Sequence, residues 1–277
     1  MIKVENLGYQ YEDGTIALKN IHMDFNNGNI IGIIGANGSG KSTLFLNILG
    51  ILKPSRGQIK YKNKPIKYNK KFLREYRKKV NMVFQDPDKQ LFYSRVYDDV
   101  AFSLRNLDFS EKEIKIRVKN ALKKVKGYHL KDKPTHFLSY GQKKQVAIAG
   151  VLAMDLEIIL LDEPTSGLDP YTTRQMKEII KHLSYEKKVV LSSHDMDLIY
   201  EVCDYIYILG KGELVGEGLP EEIFLKKELL NNANLERPWL VKIHQELGLP
   251  LCRNEDQLLS LSKSMKGDIY EKRDYSS

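Results

Sequence analysis

Gly35-Ala36-Asn37-Gly38-Ser39-Gly40-Lys41-Ser42 has the spacing G-x-x-x-x-G-K-[ST]. Glycines at those positions let successive backbone N–H groups turn inward around phosphate oxygens, and a helix starting at Ser42 adds its positive end. Lys41 suits the β- and γ-phosphates, Ser42 offers a hydroxyl to Mg²⁺, and Thr43 completes the nucleotide-binding stretch. The chemistry implied is binding of ATP with Mg²⁺ as cofactor. A second pair, Asp162-Glu163, follows the apolar run Ile158 to Leu161. Such a run makes a buried strand that delivers both carboxylates to its C-terminal edge, where ligands bind in parallel sheets. Asp162 then holds Mg²⁺ through water, and Glu163 is free to polarise an attacking water, the step that separates hydrolysis from nucleotide storage. Alone, an Asp-Glu strand end is more often just an acidic edge; the phosphate loop upstream gives it a catalytic reading.

These groups need a sheet to hold them, and the pattern supplies one. Met1 to Asn6 reads as the start of a strand, and Ile21, Met23 and Phe25 share one face of another, ending at the turn Asn26-Asn27-Gly28-Asn29. The fully apolar strand Ile30 to Ile34 enters the phosphate loop, and a helix over Ser42 to Leu49 leaves it. Ser110 and Glu113 form a capping box for a helix with Ile114, Val118, Ala121, Leu122 and Val125 on one stripe. Gln142 to Met154 is a further helix. Strands follow at Ile158 to Leu161 and Val189 to Ser192, separated by the helix Tyr171 to Leu183, which Asp169 caps and Pro170 opens. Alternating strands and helices predict an α/β fold on a largely parallel sheet, with a β-rich start and a helical insertion at about 86–154. After Tyr205 to Leu209 and the turn Gly210-Lys211-Gly212, the chain is expected to be helical to its end. The expected division is a nucleotide-binding domain over 1–220 and a helical extension over 221–277 whose last ten or so residues are loose.

Composition narrows the function classes. The longest apolar runs, Ile30 to Ala36 and Val146 to Met154, fall well short of the roughly 18 residues that span a bilayer. No transmembrane helix and no signal peptide are expected, which predicts a cytoplasmic location. Cys203 and Cys252 are too few and too far apart for a zinc cluster or disulfide framework and are expected to be structural thiols. The net charge is +8, and ten Lys or Arg lie between Lys60 and Lys79 against the single acid Glu75. A solvated helix face is the plainer reading of that segment; a contact to anionic lipid or nucleic acid is the alternative.

Leu138-Ser139-Tyr140-Gly141-Gln142, just before a helix and ahead of Asp162, resembles the L-S-G-G-Q signature of the ABC (ATP-binding cassette) ATPases. The rest of that family's set follows in order: Tyr11 as aromatic platform for adenine, Gln85 of the Q-loop, Ser166-Gly167-Leu168-Asp169 as D-loop, and His194 as switch histidine. The match spans about residues 1 to 220. The resemblance implies a phosphate-loop NTPase core of RecA-like type, with an N-terminal antiparallel β subdomain, an inserted helical subdomain and a small C-terminal helical extension. It also implies a head-to-tail dimer in which two ATPs lie between the phosphate loop of one subunit and the signature of the other. Ser139 and Gly141 then meet the partner's γ-phosphate, Gln85 adds to the Mg²⁺ shell, and His194 contacts the γ-phosphate of its own site. Tyr140 departs from the usual glycine, while both contact residues are intact.

The stretch Val83-Phe84-Gln85-Asp86-Pro87-Asp88-Lys89-Gln90-Leu91-Phe92, followed by Val96-Tyr97-Asp98-Asp99-Val100-Ala101-Phe102, resembles the energy-coupling factor (ECF) importers, particularly their cobalt-type CbiO branch. Leu138 to Met154 and the tail around Leu235 to Leu247 look like the same branch. The implied function is ATP hydrolysis that energises import of cobalt or a related metal, with vitamin import as alternative. The implied partners are a membrane-embedded T component, docked through the Gln85 region, and a substrate-binding S component, which places the chain peripherally on the cytoplasmic face of the cell membrane. The ATPase pair is a homodimer or a heterodimer with a related chain; the cobalt-type branch favours the former. A soluble ABC ATPase acting on nucleic acid is the competing class, but such proteins carry two cassettes or an internal coiled coil, and neither is present. A kinase would need no signature and no switch histidine. No nucleic-acid partner is therefore expected, and the transported substrate is not legible in a chain that does not touch it.

Overall fold

Strands that are apolar along their whole length need cover on both faces, and the fold supplies it with two different layers. The computed structural model describes residues 1–261. Strands β1 (Ile2–Gln10) and β2 (Ile16–Asp24) form an antiparallel pair. Strand β3 (Ile30–Ile34) runs through the phosphate loop into α1 (Lys41–Ile48). Strand β4 (Arg56–Tyr61) returns beside β1, and β5 (Lys64–Pro65) lies at its edge, giving an antiparallel sheet ordered β2-β1-β4-β5. Helix α2 (Lys70–Arg77) and strand β6 (Val80–Val83) lead to three helices, α3 (Val96–Asn106), α4 (Glu111–Lys124) and α5 (Tyr140–Leu152). Strand and helix then alternate: β7 (Ile158–Asp162), α6 (Pro170–Ser184), β8 (Lys188–Ser193), α7 (Met196–Val202), β9 (Tyr205–Gly210). Strand β10 (Glu213–Gly218) turns back, and α8 (Pro220–Ile223), α9 (Lys227–Asn232) and α10 (Trp239–Leu247) follow.

The second sheet runs β10-β9-β3-β8-β7-β6, parallel throughout except for the β9–β10 pair. Because side chains alternate across a strand, each central strand feeds two cores. Ile159 and Leu161 of β7 pack with α3 to α7, whereas Ile158 and Leu160 pack with α1 and the antiparallel sheet. Ile30 and Ile34 of β3 divide from Ile31 and Ile33 in the same way, as do Ile206 and Ile208 of β9 from Tyr207 and Leu209. The C-terminal ends of β3, β7 and β8 therefore sit in a rigid layer, and that edge carries the site.

Three expectations need correction. The chain is not helical from the Gly210-Lys211-Gly212 turn onward, because that turn closes a hairpin and β10 pairs antiparallel with β9. As an edge strand, β10 alternates exposed with half-buried residues, and Gly216 and Gly218 take half-buried positions without supplying an apolar signal. Strand β6 was not anticipated: only four residues long and carrying Asn81, it is too short to show a period. The basic run Lys60 to Lys79 is only partly a helix face. It crosses β4, β5 and α2, and several charges have particular partners: Lys60 with Glu5, Lys62 with Glu157, Lys78 with Glu75, and Arg77 with the carbonyls of Leu49 and Gly50 that end α1. The capping box of Ser110 and Glu113 and the Asp169 cap of α6 form as the sequence suggests. The last ten or so residues, expected to be loose, lie outside the described residues.

Candidate functional site

Parallel register sets Asp162 of β7 beside Ser192 of β8, and Ser193 beside Ile34 at the entrance of the phosphate loop. Residues far apart in the chain thus meet at one sheet edge. Gly40 begins α1 at φ +104 with no side-chain cap, so the first N–H groups of that helix keep no internal acceptor and face the loop's concavity. A side chain there would also strike the carbonyl of Ala17, because a Cβ would lie 2.7 Å from that oxygen. Gly35 is tighter still: a Cβ would come within 2.3 Å of the Leu209 carbonyl and 2.5 Å of Ser39 Oγ. Ser39 is buried, and its hydroxyl has no hydrogen-bond partner.

Lys41 is 7% exposed, and its ammonium donates to the carbonyls of Gly35 (2.7 Å) and Ala36 (3.1 Å). Burial holds its pKa below the ordinary lysine value, opposed by the negative charges of Glu163 and Asp162. Ser42 Oγ donates to Asp162 Oδ2 at 2.9 Å, and the other Asp162 oxygen accepts from Ser192 Oγ. The candidate metal ligands Ser42, Asp162 and Gln85 offer hydroxyl, carboxylate and amide oxygens, a donor set that suits Mg²⁺. Among the described residues no group of three His, Cys, Asp or Glu gathers into a protein-only cage. A divalent ion here would need phosphate oxygens and water to complete its shell, as Mg²⁺ bound to a nucleotide does.

Glu163 is buried and left-handed at φ +47, a conformation that costs a non-glycine residue ~1–3 kcal/mol and concentrates at functional sites. Its N–H donates to the Ser192 carbonyl (3.1 Å), and its carboxylate accepts from the His194 N–H (3.3 Å) and Ser193 Oγ (3.4 Å). His194 Nδ1 lies 2.8 Å from the same oxygen, on a ring that is 58% exposed. A carboxylate held at three points beside an accessible imidazole can orient a water over the phosphate loop.

A cleft of about 480 Å³ joins these groups. Its lining includes Tyr11, Asn37 to Thr43, Gln85, Asp162, Glu163 and His194, together with Thr15, Ile16 and Ala17 of the β1–β2 hairpin. Tyr11 stands at the rim, edge-on to Tyr9, with its hydroxyl bonded to Thr43 Oγ1 at 2.8 Å. Gly35 and Ala36 lie in the loop behind, where their carbonyls hold Lys41. A second cleft of equal volume separates α6 from residues 254–256, but two of its cations, Lys177 and Lys181, are paired with Glu201.

The signature does not line this cleft. Leu138 is buried in the helical core, and Ser139 caps α5, accepting from the Gln142 N–H while Gln142 Oε1 accepts from the Ser139 N–H. Gly141 has a packing reason to be glycine, since a Cβ would lie 2.8 Å from Thr172 Cγ2 of α6. In the D-loop, Ser166 N donates to the Glu163 carbonyl (3.2 Å), Gly167 lies under the Tyr140 ring, Leu168 packs on the helical core, and Asp169 caps α6. Ser192, Ser193 and Lys144 belong to the site and were not picked out from the sequence. The serines had a signal, as polar residues ending an apolar strand; Lys144 had none, because its neighbour Lys143 is chemically identical and bonds to Asp88 at the surface.

Residues 18–166 match the family described as ABC transporter. The chain is 45% identical over 258 residues to the cobalt import ATP-binding protein CbiO of Salmonella paratyphi A, spanning 93% of this chain and 95% of that protein. It is 47% identical over 240 residues to the energy-coupling factor transporter ATP-binding protein EcfA3 of Clostridium perfringens, spanning 86% and 84%. The solved structure of cbiO1 from Clostridium perfringens, described as part of the ABC transporter complex cbiONQ, superposes with a TM-score of 0.77 at 44% identity, covering 89% of this chain and 95% of that one. With the family match over residues 18–166 and identity of 44–47% along most of each relative, the chain belongs to the ABC transporter family, among its ATP-hydrolysing subunits of the cobalt-import and energy-coupling factor type.

Proposed function

We propose that the chain binds Mg-ATP on residues 35–43 and hydrolyses it with Glu163 as the base, as half of a head-to-tail pair that drives import of cobalt or a related metal ion. The observation that carries the reading is the Glu163 carboxylate, fixed by Ser193 and His194 on the cleft that also holds Lys41, Ser42 and Asp162. In this reading Tyr11 stacks on the adenine, and the loop N–H groups and Lys41 hold the β- and γ-phosphates. Ser42 and Gln85, with Asp162 acting through water, would hold Mg²⁺, which when bound would neutralise charge on the phosphate oxygens. Glu163 accepts a proton from the attacking water, and His194, within reach of the same carboxylate, steadies it and contacts the γ-phosphate. The signature Leu138 to Gln142 and the D-loop Ser166 to Asp169 serve the partner's ATP, which fits their position outside the cleft.

No helix among the described residues is long and apolar enough to cross a membrane. Transport in this reading therefore runs through separate membrane partners, a T component and an S component, with this chain on their cytoplasmic face. The test is radiolabelled cobalt uptake by cells that lack their own importer and express the chain with its membrane partners. Cobalt uptake is expected with the parent chain and is expected to vanish with Glu163→Gln; vitamin accumulation with no cobalt uptake would reassign the substrate.

The pairing has its own test. Ser139→Arg should block the partner's ATP and Lys41→Ala its own, so mixing the two single variants restores one intact composite site. Measurable recovery of ATPase activity on mixing is expected for a homodimer. Isolation of the native complex with a second, different ATPase chain would show a heterodimer instead.

A further inference from the structure

Lys144 is a lysine with no surface role. It is 2% exposed, and its ammonium donates to the Glu163 backbone carbonyl at 2.6 Å. A long cationic side chain ordinarily keeps its head in water, so one turned inward to a single neutral carbonyl is doing something specific there. Burial pushes its pKa down to about 8, against the opposing charges of Glu163, Asp162 and Asp86. The carbonyl it holds belongs to the left-handed residue of the site. The N–H of Glu163 is fixed by Ser192 and its C=O by Lys144 and Ser166 N, so the peptides on both sides of its Cα are pinned. That turn decides where the carboxylate points.

One helical turn earlier on α5, Tyr140 occupies the signature position at which the sequence departs from glycine. Its hydroxyl donates to the Gln85 carbonyl at 3.2 Å, and its ring lies against Gly167, where an added Cβ would come within 3.0 Å of Cε1. The Lys144 ammonium sits 5.4 Å from the centre of the same ring. The start of α5 is thereby joined to the Q-loop, the D-loop and Glu163 by two side chains.

We propose that Lys144 is a positioning residue for Glu163: it fixes the left-handed turn that aims the carboxylate and, braced by Tyr140, ties that turn to the helix bearing the signature. The inference rests on the reading of Glu163 as the base. A displacement at the signature end of α5, where the partner's nucleotide would dock, moves the donor on which this subunit's own Glu163 depends.

The test uses the purified full-length chain and compares Lys144→Met, which keeps the apolar stem and loses the donor, with Lys144→Arg, which keeps a cation. Lys144→Met is expected to lower kcat by about 100-fold, the scale of a small misplacement of a reacting group, while KM and ATP affinity stay within about twofold. Lys144→Arg should recover part of the loss. In a Glu163→Gln background, Lys144→Met should add no further loss, because the group it positions is already gone. A parental kcat for Lys144→Met, or the same fractional loss with and without Glu163, overturns the proposal. If Lys144→Met does not fold, Lys144→Leu, which also lacks the donor, carries the same comparison. Failure of the parent to bind ATP would instead strike the reading of the site itself.

Discussion

Glu163→Gln chains are expected to bind ATP as tightly as the parent and to turn it over about 10²- to 10⁴-fold more slowly, the range that a general base contributes. The substitution is clean for structural reasons. The amide oxygen can still accept from the His194 N–H, and neither residue is β-branched, so the left-handed backbone costs the same in both. What disappears is the charge to which the proposed mechanism assigns the proton from water. ATP binding without turnover should then accumulate an ATP-bound pair, visible as a shift to the dimer in size-exclusion chromatography. Single-turnover hydrolysis at the parental rate, with binding intact, would remove Glu163 from the mechanism.

Lys41→Ala fails one step earlier. The ammonium now rests on two neutral carbonyls, Gly35 and Ala36, and a phosphate would offer it charged oxygens instead. Hydrogen bonds to charged groups contribute ~1.5–3 kcal/mol, so ATP affinity should fall by about 10- to 150-fold. The fold should survive, because removing a buried cation that burial already disfavours takes the ammonium from the Gly35 carbonyl, while the Ala36 carbonyl still accepts from the Ser39 N–H. Isothermal titration with Mg-ATP, alongside a melting curve, separates the two effects. Unchanged affinity would show that Lys41 does not reach the nucleotide.

Both expectations concern residues whose chemistry is contiguous in the sequence. The phosphate loop, the Asp162-Glu163 strand end and the signature each bring their own geometry, because a glycine-rich turn, an apolar strand or a helix cap is a local structure with a local signal. The apolar strands β3, β7 and β8 were readable for the same reason: buried on both faces, they leave runs of Ile, Val and Leu, broken in β3 only by Gly32. Strand β10, half exposed and interrupted by glycine, left no such trace.

The sequence by itself determined the nucleotide chemistry and the family, since those reside in short motifs whose order and spacing suffice. Only the tertiary structure decided what holds Glu163. Ser192 reaches Asp162 across 30 residues because β7 and β8 pair in parallel register, and Lys144 reaches the Glu163 carbonyl across 19 because α5 packs against that sheet edge. Tyr140 looked like a lapse in a glycine signature, and across 55 residues it proves to be a contact to the Q-loop. Side chains of one type, such as Lys143 and Lys144, are indistinguishable in sequence; which of them turns inward is set by the burial of one helix face, and that is a property of the packed molecule.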